Sequence, residues 1–138
     1  MTPVFLDTSG AIALLHRADP HHAKAQTLAE TFVSQRRARV TTTAVLAELG
    51  DGFAPKKRWD VLNAFLEALA KDPLVTVLAV DHGLVERARD LRNARADKNW
   101  GLTDCLSFVV MTDQGLEEAL TADHHFQQAG FRALLLEG

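Results

Sequence analysis

Five short runs of β-forming residues punctuate this chain, and a stretch with helical periodicity separates each from the next. The runs are Val4–Phe5–Leu6, Val40–Thr41–Thr42, Val75 to Val80, Ala119–Leu120–Thr121 and Ala133 to Leu136. Strands this short, joined through helices, cannot form hairpins. Parallel neighbours need a covering crossover, so the pattern predicts an α/β fold with a mostly parallel central sheet and helices on both faces. Sites in such folds lie at the carboxyl ends of the strands.

The helices are read from their apolar spacing. Ser9 to His16 forms the first. Asp19–Pro20 opens a second, with Ala25, Leu28, Ala29, Phe32 and Val33 on one face. Thr43 to Leu49 forms a third, interrupted by Gly50 and Gly52. Trp59, Leu62, Phe65, Leu66 and Leu69 line a fourth, which Asp72–Pro73 stops. Asp81 opens a fifth with Leu84, Val85, Ala88 and Leu91 inward, Leu102 to Met111 forms a strongly apolar sixth, and His124 to Ala129 a short last one. Asp97–Lys98–Asn99–Trp100–Gly101 breaks the periodicity and reads as a loop.

The 138 residues, without repeat or linker, fit one domain spanning 1–138. No apolar run is long enough to cross a bilayer, and the chain begins directly on a strand without a positive leader, so a cytoplasmic location is expected. The single cysteine, Cys105, has no partner for an internal disulfide and reads as a small buried hydrophobe. A net charge of -3 excludes a protein that coats nucleic acid through overall positive charge. It leaves room for a local basic rim beside an acidic pocket.

Four acids stand where such a pocket would form. Asp7 follows the first strand and Asp123 the fourth. Asp104 opens the apolar helix through Met111, and Glu48 is the only charge in Ala44–Val45–Leu46–Ala47–Glu48–Leu49. Helix capping accounts for Asp7 and Asp123, and the helix dipole for Asp104. Glu48 has neither explanation unless it points outward beside Asp51. Carboxylates gathered in one place repel one another, and a hard divalent cation resolves that repulsion.

The surrounding strings add to this. Leu6–Asp7–Thr8–Ser9, followed by apolar Ala11 to Leu15, resembles the opening motif of PIN-domain nucleases. Thr42 to Glu48 is similar to that family's second acidic motif, Trp100 to Phe108 to its third, and Thr121 to Phe126 to its fourth. The resemblance covers essentially the whole chain with the motifs in family order, and the compact size resembles VapC-type toxins of type II toxin–antitoxin pairs. It implies a Mg²⁺- or Mn²⁺-dependent endoribonuclease acting on RNA, a cognate antitoxin partner and a homodimer. It also implies metal-holding and catalytic roles for Asp7, Glu48, Asp104 and Asp123, the last at a position where the family is looser. Thr8 and Thr103 match supporting hydroxyls.

Other features carry less. The pairs His21–His22 and His124–His125 lack a zinc spacing with cysteine, and neighbouring residues on a helix face different directions. Basic residues cluster at Arg36–Arg37–Arg39, at 56–58 and from Arg87 to Lys98. In the last cluster Arg92, Arg95 and Lys98 lead into the third acidic motif and are candidate RNA contacts, and Trp100 is a candidate to stack on a base or to pin its loop. A housekeeping RNA-processing enzyme and a catalytically silent PIN-like binding module share much of this pattern. A phosphatase would want a second Asp where Ser9 stands, and a receiver-type domain a lysine-centred site that is not found.

Overall fold

The computed structural model describes residues 1–138 with the exception of the Lys56 side chain, so that part of the 56–58 basic cluster lies outside the described residues. Five strands form one sheet: β1 (Val4–Leu6), β2 (Arg39–Thr42), β3 (Val75–Leu78), β4 (Glu118–Leu120) and β5 (Arg132–Ala133). Their order is β3-β2-β1-β4-β5 and every pairing is parallel. The helices are α1 (Thr8–Leu15), α2 (His22–Ser34), α3 (Thr43–Gly52), α4 (Lys56–Lys71), α5 (His82–Ala94), α6 (Leu102–Gln114) and α7 (His124–Gln128).

This order positions the site. From β1 the chain steps to β2 and on to β3, then crosses back to β4 and continues to β5. Right-handed crossovers put the first two connections over one face and the later ones over the other. β1 is therefore covered on both faces, and Val4, Phe5 and Leu6 are all buried. The connections leaving β1 and β4 run in opposite directions, which opens a crevice at the carboxyl ends of these two strands. The register pairs Leu6 with Leu120, so the next residues, Asp7 and Thr121, emerge side by side at its mouth.

Close packing keeps that mouth narrow. A Cβ on Gly10 would stand 1.9 Å from the Leu120 carbonyl oxygen, so only glycine lets the first turn of α1 lie on the end of β4. On the other flank the buried Thr41 hydroxyl donates to the Leu6 carbonyl at 2.8 Å. An aromatic cluster fixes α7 beside α6: Phe108 meets Trp100 and Phe126 edge-on, each at 5.0 Å between ring centroids. Phe108 lies one turn beyond Asp104, and Phe126 closes the fourth motif.

Several boundaries differ from expectation. Gly50 and Gly52 do not interrupt α3, which continues to Gly52. Asp19 does not cap α2; its carboxylate accepts the His21 N–H at 2.8 Å in the preceding turn. On α2 the buried stripe runs through Ala25 and Phe32, while Val33 lies a further step around the helix and is 65% exposed. Trp59 likewise stands exposed on α4, whereas Leu62 is fully buried. Residues Leu134–Leu136 form a 3-10 turn rather than the end of a strand. β3, densest in β-branched residues, is an edge strand with Thr76 and Val77 exposed, because β propensity reports fit to a pleated surface and not central position.

Replacing Gly10 with alanine forces backbone apart at the crevice and is expected to destabilise the fold by at least ~1–3 kcal/mol. Denaturant unfolding of the variant against the parent measures this, and equal midpoints at equal slope would show that α1 can lift off β4 without cost.

Candidate active site

Asp7 is the deepest acid, 5% exposed. It occupies the N-cap position of α1, yet its side chain makes no cap bond to the helix. Instead its Oδ2 accepts the Thr121 hydroxyl at 2.7 Å and the Ser9 hydroxyl at 3.1 Å. Ser9 and Thr121 lie 2.9 Å apart, Ser9 Oγ accepts the Ala122 N–H at 2.9 Å, and Thr121 Oγ1 accepts the Asp123 N–H at 3.0 Å. This network ties the ends of β1 and β4 together. Burial pushes the Asp7 carboxyl up to about 6; hydrogen bonds from Thr121, the Thr8 backbone and Ser9 offset this only in part, and the charge of Asp104 pushes the same way.

Asp104 sits in the first turn of α6, where its Oδ2 accepts the Gly101 N–H at 3.1 Å. Burial raises its pKa first, and Asp123 adds to the rise through its charge. Asp123 caps α7, its Oδ1 accepting the His125 N–H at 2.9 Å. The His125 ring stands between these two acids, with Nδ1 3.0 Å from Asp104 Oδ2 and 3.3 Å from Asp123 Oδ1. Three carboxylates from three motifs are thus in electrostatic contact. Among the described residues, no hydrogen bond uses Asp104 Oδ1 or Asp123 Oδ2.

Glu48 is not drawn into this hydrogen-bonded cluster. It is exposed on α3, a helix that packs against both α1 and α6, and among the described residues its carboxylate has no hydrogen bond or ion pair. Thr8 is buried, and its hydroxyl is one of two buried side-chain atoms without a partner among the described residues, the other being Ser107 Oγ. Thr103 is half-buried on α6 beside Asp104. An unpartnered hydroxyl next to Asp7, free oxygens on Asp104 and Asp123, and mutual repulsion among the acids fit a hard, oxygen-binding divalent cation.

The basic stretch from Arg87 to Lys98 is mostly neutralised within the protein. Arg87 makes two bonds to Asp113 at 2.7 and 2.8 Å, and Arg89 pairs with Glu86 at 3.1 Å. Arg95 pairs with Asp97 at 3.1 Å, and Lys98 lies 3.9 Å from the same acid. Arg92 has no acidic partner among the described residues; it donates to the Arg95 carbonyl at 3.3 Å. Its charge also reaches the buried Cys105, whose thiol is pushed up first by burial and then by Asp104. Trp100 does not present a face for a base. It is 4% exposed, donates its indole N–H to Gln128 at 3.0 Å and lies under the Arg95 guanidinium, so it pins the loop that delivers Asp104.

Sequence reasoning gave no role to Ser9, Thr121 or His125. Thr121 was legible only as the strand-end neighbour of Asp7, which requires the register. Asp123, His124 and His125 also offer ligand atoms within 4.8 Å of one another, with the two rings 4.5 Å apart. The expectation that adjacent histidines diverge does not hold in this first helical turn.

These features define the class: residues 4–132 match the PIN domain family model, and the chain belongs to that family. The relatives are equally specific. The chain is 29% identical over 136 residues to the 23S rRNA-specific endonuclease VapC20 of Mycobacterium tuberculosis, in strains CDC 1551 / Oshkosh and ATCC 25618 / H37Rv alike, covering 93% of this chain and 95% of the relative. The crystal structure of Mycobacterium tuberculosis VapC20, described as a sarcin-ricin loop cleaving toxin, superposes with a TM-score of 0.82 at 26% identity, over 94% of this chain and 97% of that one. The parallel five-stranded α/β architecture is the PIN fold.

The raised pKa of Asp7 carries a stability consequence in metal-free protein. Native Asp7 holds its proton up to about 6, whereas the unfolded chain releases it near 3.8. The contribution is therefore complete below the lower value and lost as pH rises through the higher one, a change on the order of 2–3 kcal/mol. Asp7→Asn is expected to flatten this decline and to raise the unfolding midpoint at pH 7.5 in the presence of a chelator. Chelated parent and variant that lose stability in parallel between pH 4.5 and 7.5 would remove Asp7 as the cause.

Proposed function

We propose that this protein is a metal-dependent endoribonuclease, the toxin of a VapC-type toxin–antitoxin pair, with Mg²⁺ or Mn²⁺ as its cofactor. The observation that carries this reading is the convergence of Asp7, Asp104 and Asp123 at the β1–β4 crevice in a chain of PIN family membership. Asp7, Asp104 and Asp123 hold the cation through carboxylate oxygens, and the Thr8 and Thr103 hydroxyls support bound water or phosphate. Glu48 would join the acidic set from α3, a helix that packs against both α1 and α6. A bound divalent cation supplies Lewis-acid stabilisation of the phosphate and activation of water. Thr121 and Ser9 keep the Asp7 carboxylate aimed at the crevice, and Trp100 holds the loop before Asp104 rigid.

The substrate is RNA, and 23S rRNA is the first to test, since VapC20 is named for cleaving it. A cognate antitoxin that inserts a cationic side chain among the carboxylates would block the site by charge pairing. We further propose a homodimer working in the cytoplasm. Among the described residues, no helix is long and apolar enough to cross a membrane.

Loss of an outer partner of a metal ligand costs ~10–100-fold, so loss of a ligand itself is expected to cost at least the upper end of that range. Purified Asp7→Asn and Asp104→Asn proteins should therefore cleave RNA ~100-fold more slowly or worse at equal Mg²⁺. Glu48→Gln should relieve growth arrest without lowering protein abundance. Near-parental turnover in any of these removes that residue from the site.

Arg92 is proposed as the main RNA contact of its stretch, because Arg95 and Lys98 are already paired with Asp97. Arg92→Ala is expected to weaken RNA binding and lower the slope of log affinity against log salt by about 1, with little loss of turnover at saturating RNA. Arg95→Ala and Lys98→Ala should change the slope less. Affinity measured across a salt series separates them, and an unchanged slope for Arg92→Ala returns it to the role of capping α5.

A further inference from the structure

His125 lies outside the acidic set, yet among the described residues it is the one side chain that faces the carboxylates of both Asp104 and Asp123. Its Nδ1 stands 3.0 Å from Asp104 Oδ2 and 3.3 Å from Asp123 Oδ1. A bare ring nitrogen facing two carboxylates would repel both, so Nδ1 carries the hydrogen; it donates to Asp104 and its dipole faces Asp123 as well. The ring is held for this task. It is 21% exposed, its own backbone N–H is bonded to Asp123, and the next residue, Phe126, is fully buried against Phe108.

The two acids need such a link. Asp104 belongs to α6 and is otherwise held only by the Gly101 N–H of its own turn. Asp123 belongs to the start of α7, and its hydrogen bonds are otherwise local. Among the described residues, no other side chain lies within ion-pair distance of both carboxylates. The contacts to His125 use Asp104 Oδ2 and Asp123 Oδ1 and leave the opposite oxygen of each carboxylate free.

We propose that His125 is a positioning residue for the cation site: its Nδ1–H, bonded to Asp104 and 3.3 Å from Asp123 Oδ1, sets the two carboxylates so that their free oxygens would be available to a divalent cation. This rests on the metal-site reading above. Outer groups that orient metal ligands act in this way, fixing the ligand's rotamer before the ion arrives.

The test is Mn²⁺ binding to the full-length protein without RNA, measured by calorimetry, alongside cleavage as a function of Mn²⁺. His125→Phe keeps the ring and removes the donor; His125→Asn places an amide N–H near the position of Nδ1; His125→Gln places one a bond further out. Phe and Gln are expected to raise the Mn²⁺ dissociation constant by ~10–100-fold, with Asn remaining within a few-fold of the parent. Cleavage by the Phe variant should recover substantially at saturating Mn²⁺, since the ligands themselves remain. Parental or tighter Mn²⁺ binding by the Phe variant overturns the proposal, the second because the ring would then be competing with the ion. So does an Asn variant that binds no better than Gln, because rescue by the correctly placed donor is what a merely structural ring would not give. A parent that binds no Mn²⁺ at all would instead overturn the metal-site reading, and this inference with it.

Discussion

Burying the Asp7 carboxylate costs free energy that the hydroxyls of Thr121 and Ser9 offset only in part, as its pKa of about 6 records. The surrounding structure is arranged to keep it there. β1 ends under a sheet covered on both faces, and its neighbours on either side each contribute a buried threonine: Thr41 to the Leu6 carbonyl and Thr121 to the Asp7 side chain. The absence of a side chain on Gly10 allows α1 to start directly over the end of β4. A well-packed core could have been built without this acid. The crevice between β1 and β4 could not be closed so tightly around an acid without these partners.

Strain is graded across the cluster. Asp7 is the most buried, Asp104 is partly buried and also shifted upward, and Asp123 lies nearest to solvent at the start of α7. On the proposed reading, helix capping and ligand holding would divide between the oxygens of a carboxylate rather than exclude one another. Asp123 caps with Oδ1 and Asp104 receives the Gly101 N–H on Oδ2, which orients the other oxygen of each at no extra entropic cost. Asp7 takes the opposite course, making no cap bond and spending its oxygen on a link between strands.

The alternation of strands and helices was legible because each element carries its own period, and parallel order follows from the crossovers. Three of the four acids stood out as candidates for the same reason: each stands at an element boundary that the period marks. What could not be read is long-range. Thr121 and Asp7 are 114 residues apart and meet only through the β1–β4 register. His125 meets Asp104 only because Phe126 and Phe108 set α7 against α6. Glu48 looked buried because its neighbours are apolar, yet α3 turns only Val45 and Leu49 fully inward and leaves Glu48 in solvent. Trp100 failed as a stacking residue because burial depends on what packs over a loop, which local composition does not specify.

The same long-range pairing reshapes the charge argument. Counting cations from Arg87 to Lys98 suggests a basic rim, but Asp113, Glu86 and Asp97 neutralise most of it. With a net charge of -3 and three acids at the crevice, the cation-free protein offers a phosphate backbone little attraction there. On the proposed reading the divalent ion reverses the sign of the crevice, so it is part of the RNA-binding surface as well as of the chemistry. Thermodynamic linkage then runs both ways: whatever the ion contributes to RNA affinity, bound RNA contributes equally to holding the ion. An occupant of the opposite sign, such as an inserted cationic side chain, would satisfy the carboxylates without admitting a phosphate. On that reading, the buried and incompletely compensated Asp7 carboxylate would allow one small site to be either armed or silenced by the charge that enters it.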